Sequence, residues 1–365
     1  MRHWRAILFM MATATAAYGA VSHKDFGKLP DGSPVTIYTL SSPKVELRVM
    51  TFGARVVSLK TPDRHGKLAD IVLGYDDLAS YVKDNKTYFG VVPGRYANRI
   101  AKGTFSLEGK QYHLTVNENG NTLHGGKEGF DRRNWTGKEI PGGVEFTLIS
   151  PDGDQGFPGA LTAHVRYTLV GDKVTIHYSA TTDKPTVVNL TNHTYFNLSG
   201  AGSGTILNDK LTLFADKMTP VDSNLIPTGE LKPVAGTPFD FTHPEVIGAR
   251  IGANDPQLKL GHGYDHNWIV NGKMGTLRPA ARVLDPASGR ILEVSTTQPG
   301  VQFYTGNFLD GSFSGPNGKY IFRSGLCLET QHYPDSPNHP AFPSTELKPG
   351  QTYSSETTWT LSAEK

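Results

Sequence analysis

At 365 residues, with 36 Lys and Arg against 34 Asp and Glu, the chain has a formal net charge of +2 and no block of like charge. That balance implies neither nucleic acid nor a membrane surface as a partner. Forty glycines and 24 prolines are spread along the whole length rather than gathered into a low-complexity tract, which predicts many short strands joined by turns around a sizeable core.

Residues 1–20 read differently from the rest. Arg2, His3 and Arg5 make a basic start, Ala6 to Met11 an apolar run, and Ala12 to Ala20 a stretch of mostly small residues. This order predicts a secretory signal peptide, cut after Ala16 or Gly19, and an exported chain that is periplasmic or secreted. The segment is too short to span a bilayer. Residues 21–365 are then a single domain with no linker or repeat. Cys327 is the lone cysteine, so no intramolecular disulfide forms, and the redox compartment stays open.

From Val35 the sequence falls into alternating apolar runs broken by turn residues. Val35–Leu40 and Val45–Met50 read as strand, turn, strand, and Val56–Leu59 follows as a third. Asp76–Val82 predicts a short capped helix, and Glu245–Ile251 a turn or two more, but no sustained 3.6-residue period appears. The clearest hairpin is Leu161–Val170 with Lys173–Tyr178 around a Gly171-Asp172 turn, since glycine supplies the positive φ such turns need. Few helices and many strands predict an all-β fold, a large antiparallel β-sandwich.

Two stretches carry the polar side chains of interest. Val187–Asn197 reads as a strand whose odd positions Asn189, Thr191, His193 and Tyr195 form a hydrogen-bonding face, with His193, the residue type best suited to moving protons near neutrality, at its centre. Gly325–Gln331 reads as a strand with Leu326, Leu328 and Thr330 on one face and Cys327, Glu329 and Gln331 on the other. The loop after it, His332–Pro340, holds three prolines and reads as rigid and irregular. Arg95, Asn98 and Arg99 in Gly94–Ile100, His124 before paired glycines, Asp265 and Asn267 beside Trp268, and Gln298 and Gln302 in Thr297–Tyr304 add the amides, acid and cations that a sugar's hydroxyls require, beside several aromatic rings. His262 and His266 are four apart, but the glycines around them disfavour the helix that would join them, so no metal site is expected. Phosphate-binding glycine loops are absent.

Together these segments resemble the aldose 1-epimerase (galactose mutarotase) family. The matching motifs are Gly94–Ile100, Asn121–Gly126, Ser150–Gly159, Asn189–Leu198, Tyr264–Asn267, Thr297–Asn307 and Cys327–Gln331, in family order over residues 25 to 362. Tyr96 departs from the smaller apolar residue often found there, and the leader departs from the many cytoplasmic relatives. The resemblance implies a galactose mutarotase-like supersandwich and an isomerase that interconverts the α and β anomers of free hexoses such as glucose and galactose. It implies Glu329 as catalytic base and His193 as catalytic acid. It further implies Asn98, Arg99, His124, Tyr195, Asp265 and Gln298 as sugar-binding residues, with no metal or other cofactor. The alternatives are a hexose-6-phosphate 1-epimerase, which would need a further cationic pocket, a non-catalytic sugar-binding module, and a glycosidase using Asp265 with Glu329. Oligomeric state and the preferred aldose stay open.

Overall fold

The structure is a computed structural model that describes residues 18–84 and 86–364. The expected leader therefore lies outside the described residues, except for Tyr18, Gly19 and Ala20. Those three already belong to the folded body. Tyr18 bridges to Val170, the Gly19 amide donates to the Leu169 carbonyl at 3.0 Å, and Ala20 opens the Ala20–Lys28 strand.

Antiparallel sheet dominates, as the alternating runs predict. A nine-stranded sheet, a six-stranded sheet and a five-stranded sheet account for most of the strands, and the three α-helices among the described residues are short. The predicted hairpin forms between Leu161–Val170 and Lys173–Thr182, with Val170 opposite Lys173 and Gly171 at φ 62°. The capped helix appears at Leu78–Lys83, where the Asp77 carboxylate accepts from the Ser80 amide. At Glu245–Ile251 the chain makes one helical turn, Ile247–Arg250, after a two-residue strand.

One core joins the three sheets. Val165, Tyr167, Ile176, Leu292 and Trp359 of the nine-stranded sheet meet Leu40, Leu47 and Leu59 of the five-stranded sheet. Trp268, Val301, Phe303, Leu326 and Leu328 of the six-stranded sheet complete the same cluster. Because side chains alternate along a strand, burying this apolar set on one face obliges the intervening residues onto the other. In the six-stranded sheet those residues are polar, and the cleft lies over them.

The strand expected over Val187–Asn197 is corrected by the structure. Only Thr186–Val187 and Tyr195–Phe196 are strands, and the residues between run irregularly. Their backbone groups are taken by a neighbouring loop instead of a ladder. The His193 amide donates to Val91 O at 2.9 Å, Gly90 donates to His193 O at 3.0 Å, and Ala97 donates to Asn189 O at 2.8 Å. Asn189, Thr191 and His193 are buried, so alternation does not explain their placement.

Candidate active site

The sheet face toward the cleft is built by register. Across the six-stranded sheet, Asp265 stands opposite Tyr304, Tyr304 opposite Cys327, and Cys327 opposite Tyr195. Two residues along, Asn267 stands opposite Gln302 and Gln302 opposite Glu329. All seven therefore share the face turned away from the core. The Leu326–Gln331 strand keeps the expected alternation, with Leu326 and Leu328 in the core and Glu329 on the cleft side.

Loops supply the opposing wall. The left-handed conformations of Asn98 (φ 63°) and His124 (φ 52°) are unusual for residues with a side chain. They are held by a reciprocal pair: His124 N donates to Asn98 O at 3.0 Å, and Asn98 N donates to His124 Nδ1 at 3.1 Å. Glycine is required immediately after, because a Cβ on Gly125 would lie 1.8 Å from Gly94 O. An Nδ1 that accepts a backbone N–H leaves the proton of neutral His124 on Nε2, so this ring offers a donor to the cleft.

Tyr88, Asn98, Arg99, Glu118, His124, His193, Tyr195, Asp265, Tyr304, Phe308 and Glu329 surround a cleft of about 140 Å³, with Lys86 at its edge. That is room for one small ring, on the scale of an engineered cavity of ~150 Å³ that accepts benzene. His193 Nε2 lies 3.6 Å from Glu329 Oε1, beyond a hydrogen bond yet close enough for both atoms to reach two oxygens borne by the same carbon. The His193 ring is boxed by Tyr195 and His124, each with ring centroids 5.1 Å away, and Cys327 Sγ is 3.6 Å from its Nδ1.

Electrostatics set the pair apart from ordinary surface groups. Burial pushes the Glu329 carboxyl well above its usual value; Asp265 adds to this and Arg99 opposes it. Burial also brings His193 down to about 4. His124 is lowered well below its usual range by burial, then by His193 and Arg99. Burial alone would lower Arg99, but Glu118, Asp265 and Glu329 more than offset it. Glu118 grips the guanidinium with two teeth, at 3.1 Å to Nε and 2.8 Å to Nη2. Burial raises Asp265, which accepts from Gln302 Nε2 at 2.7 Å.

Seven of the eight residues expected here therefore meet in one place: Asn98, Arg99, His124, His193, Tyr195, Asp265 and Glu329. Gln298 does not. It precedes the Gly300–Tyr304 strand, donates from Nε2 to the Tyr353 hydroxyl at 2.8 Å, and lines a separate depression of about 450 Å³. Gln302, four residues later in the same motif, is the glutamine of that motif on the sheet face that carries Glu329. Its position opposite Glu329 and its bond to Asp265 follow from strand register, which the motif alone did not resolve.

His124, His193 and Glu329 could each present a ligand atom within 4.8 Å of the others. The bond to His124 Nδ1 argues against a metal there, since it puts a proton on the remaining nitrogen; the set suits hydroxyl groups better. Arg95 does not provide a phosphate pocket. It is 2 % exposed and spends its donors on Ser150, Pro158 and Gly159, at 2.6 Å from Ser150 Oγ and 2.8 Å from each of the two carbonyls. The unusual Tyr96 is also structural, its hydroxyl donating to Tyr333 O at 3.1 Å and accepting from Ser336 N.

Known proteins match this chain over most of its length. A family model described as Aldose 1-epimerase matches residues 36–360. Galactose mutarotase of Mus musculus is 48% identical over 342 residues, 93% of this chain and 98% of that protein. Aldose 1-epimerase of Escherichia coli strain K12 is 42% identical over 340 residues, 92% of this chain and 97% of that one. A crystal structure of galactose 1-epimerase from Lactobacillus acidophilus NCFM superposes with a TM-score of 0.84 at 27% identity, covering 95% of this chain and 100% of its own.

Proposed function

Because this chain belongs to the aldose 1-epimerase family, we propose that Glu329 and His193 are the base and acid that open and close the ring of a free aldose. The enzyme is an isomerase, and the reaction interconverts α and β anomers. Interconversion passes through the open-chain aldehyde. The hydroxyl on C1 must lose a proton while the ring oxygen gains one. Glu329 takes the first and His193 delivers the second, whereupon the bond between C1 and the ring oxygen breaks. Rotation about C1–C2 turns the other face of the aldehyde, and reversed transfers close the ring.

The observation that carries this reading is the pair itself: two buried proton carriers 3.6 Å apart, facing one ring-sized cleft. Arg99, His124 and Asp265 would hold the remaining hydroxyls, with donors and acceptors on opposite walls, and Gln302 holds Asp265 in place. Polarimetry on freshly dissolved α-D-glucose, α-D-galactose, xylose and arabinose tests the activity and ranks the sugars. A rate no faster than buffer for every aldose would end the proposal. The hexose-6-phosphate alternative loses ground, since Arg95 is consumed by the fold and the Arg99 charge is paired with Glu118, which leaves it a donor for neutral hydroxyls but little net charge for a phosphate.

The two glutamines offer an internal comparison. Gln302→Leu, which removes the hydrogen bond holding Asp265, is expected to raise KM about tenfold, the scale of one hydrogen bond to a charged group. Gln298→Leu should leave KM unchanged. The opposite pattern would return the sugar contact to Gln298.

Export remains part of the proposal, with cleavage after Ala16 rather than Gly19. The contacts of Tyr18 and Gly19 support that choice, because a cut after Gly19 would remove both the bridge to Val170 and the bond to Leu169. The N-terminal sequence of exported protein should begin at Ala17. Recovery of intact Met1 in the cytoplasm would contradict it.

A further inference from the structure

The row of polar residues across the catalytic face continues past the cleft. Thr219 stands opposite Asn267, Asn267 opposite Gln302, and Gln302 opposite Glu329, while Gln331 lies two residues beyond Glu329 on the same face. All five are at most 3% exposed. Yet Thr219 Oγ1, both amide atoms of Asn267, Gln302 Oε1, Glu329 Oε2 and both amide atoms of Gln331 have no hydrogen-bond partner among the described residues. Folded proteins leave few such atoms, and a contiguous run of them in one sheet face requires a common partner.

Groups approach closely over this face. Gly300 stands opposite Gln331, and a Cβ there would lie 2.3 Å from Asn267 Oδ1 and 3.0 Å from the Tyr333 ring. The missing side chain lets the Asn267 amide lie over the strand, toward Gln331. Where these strands end, Gln298 and His332 line the second depression, and His332 Nδ1 also lacks a partner. The polar face thus runs from solvent on one side to the catalytic carboxylate on the other. Water is the ligand that fits a narrow site offering two to four mixed donors and acceptors.

We propose that Asn267 and Gln331 are positioning residues that hold buried water against Glu329 Oε2, so that the base is hydrogen-bonded on the side away from the sugar. The role rests on Glu329 being the base. Its other neighbours are already committed: His193 faces Oε1, Asp265 bonds Gln302, Arg99 bonds Glu118, and the thiol of Cys327 lies by His193. His124, Tyr195 and Tyr304 close the cleft side. A hydrogen bond to the ionised carboxylate favours that form and counteracts burial.

A crystal structure of the wild-type protein at a resolution that shows ordered solvent is the first test. Water within hydrogen-bond distance of Glu329 Oε2 and of Asn267 or Gln331 is expected; a dry tract, with these amides paired to protein, overturns the proposal. The second test is Gln331→Met, which keeps length and loses both polar atoms. It should move the alkaline limb of kcat/KM, the one set by Glu329, upward by about one pH unit and lower kcat near neutrality with KM preserved, and Gln331→Asn should recover part of the loss. A profile unshifted in Gln331→Met sinks the role, and if that variant does not fold, the crystal structure decides. Glu329→Gln separates the two layers. Full activity there removes the base and this role together, whereas an inactive Glu329→Gln with an unshifted Gln331→Met profile removes this role alone.

Discussion

Glu329→Gln is expected to lower kcat for mutarotation about 10²–10⁴-fold, the range contributed by one positioned acid or base. The amide preserves the shape of the carboxylate and cannot accept the anomeric proton. Binding should survive, because Arg99, His124, Asp265 and Gln302 keep their places: Arg99 through Glu118, His124 through Asn98, Asp265 through Gln302. Stability should not suffer, since the neutral amide keeps the carboxyl's shape and removes a buried ionisable group. Progress curves and a sugar titration, with a melting curve alongside, check all three. Wild-type turnover in this variant would remove Glu329 from the mechanism.

His193→Gln should cost a similar factor, about 10²–10⁴, and should also change the form of the pH profile. Glu329 and His193 share one proton in the active state, and their titrations belong to the pair. With burial raising Glu329 and lowering His193 to about 4, the empty cleft favours the proton on Glu329, which is the arrangement that meets the open-chain aldehyde. A sugar whose C1 hydroxyl faces the carboxylate and whose ring oxygen faces the imidazole favours the ionic arrangement. On the acid side a second proton enters as the pH falls toward about 4, the value of His193, and activity is lost. On the alkaline side the shared proton leaves, above the ordinary range of Glu because the Glu329 value is raised. The wild-type kcat/KM should therefore fall at both ends, toward about 4 on the acid side and above the ordinary range of Glu on the alkaline side. Without His193 only the acid limb, set by Glu329 alone, remains. A bell-shaped profile retained in His193→Gln would show that another group supplies the proton.

Much of this site was legible in the sequence, for unequal reasons. Glu329 was placed by strand alternation, and the Leu326–Gln331 strand behaves as alternation requires because its other face is buried in the common core. His193 was found through residue type and family motif, while the strand expected around it does not form. Its backbone is held by Gly90 and Val91, a hundred residues away in sequence, and no local pattern announces such a partner. The same holds for Glu118, which orients Arg99 from an exposed loop with nothing apolar or periodic beside it. The family resemblance points to Gln298, while the strand's first residue, Gly300, and its register place Gln302, in the same motif, opposite Glu329. Pairing partners distant in the chain settle these points, and a single sequence does not state them.

The most direct measurement is the crystal structure of Glu329→Gln with galactose or glucose bound. The assignment of base and acid predicts the C1 hydroxyl against the side chain of residue 329 and the ring oxygen against His193 Nε2, with Arg99, His124 and Asp265 on the other hydroxyls. A sugar seated in the cleft with its ring oxygen away from His193 and its C1 hydroxyl on Asp265 or Arg99 would contradict it.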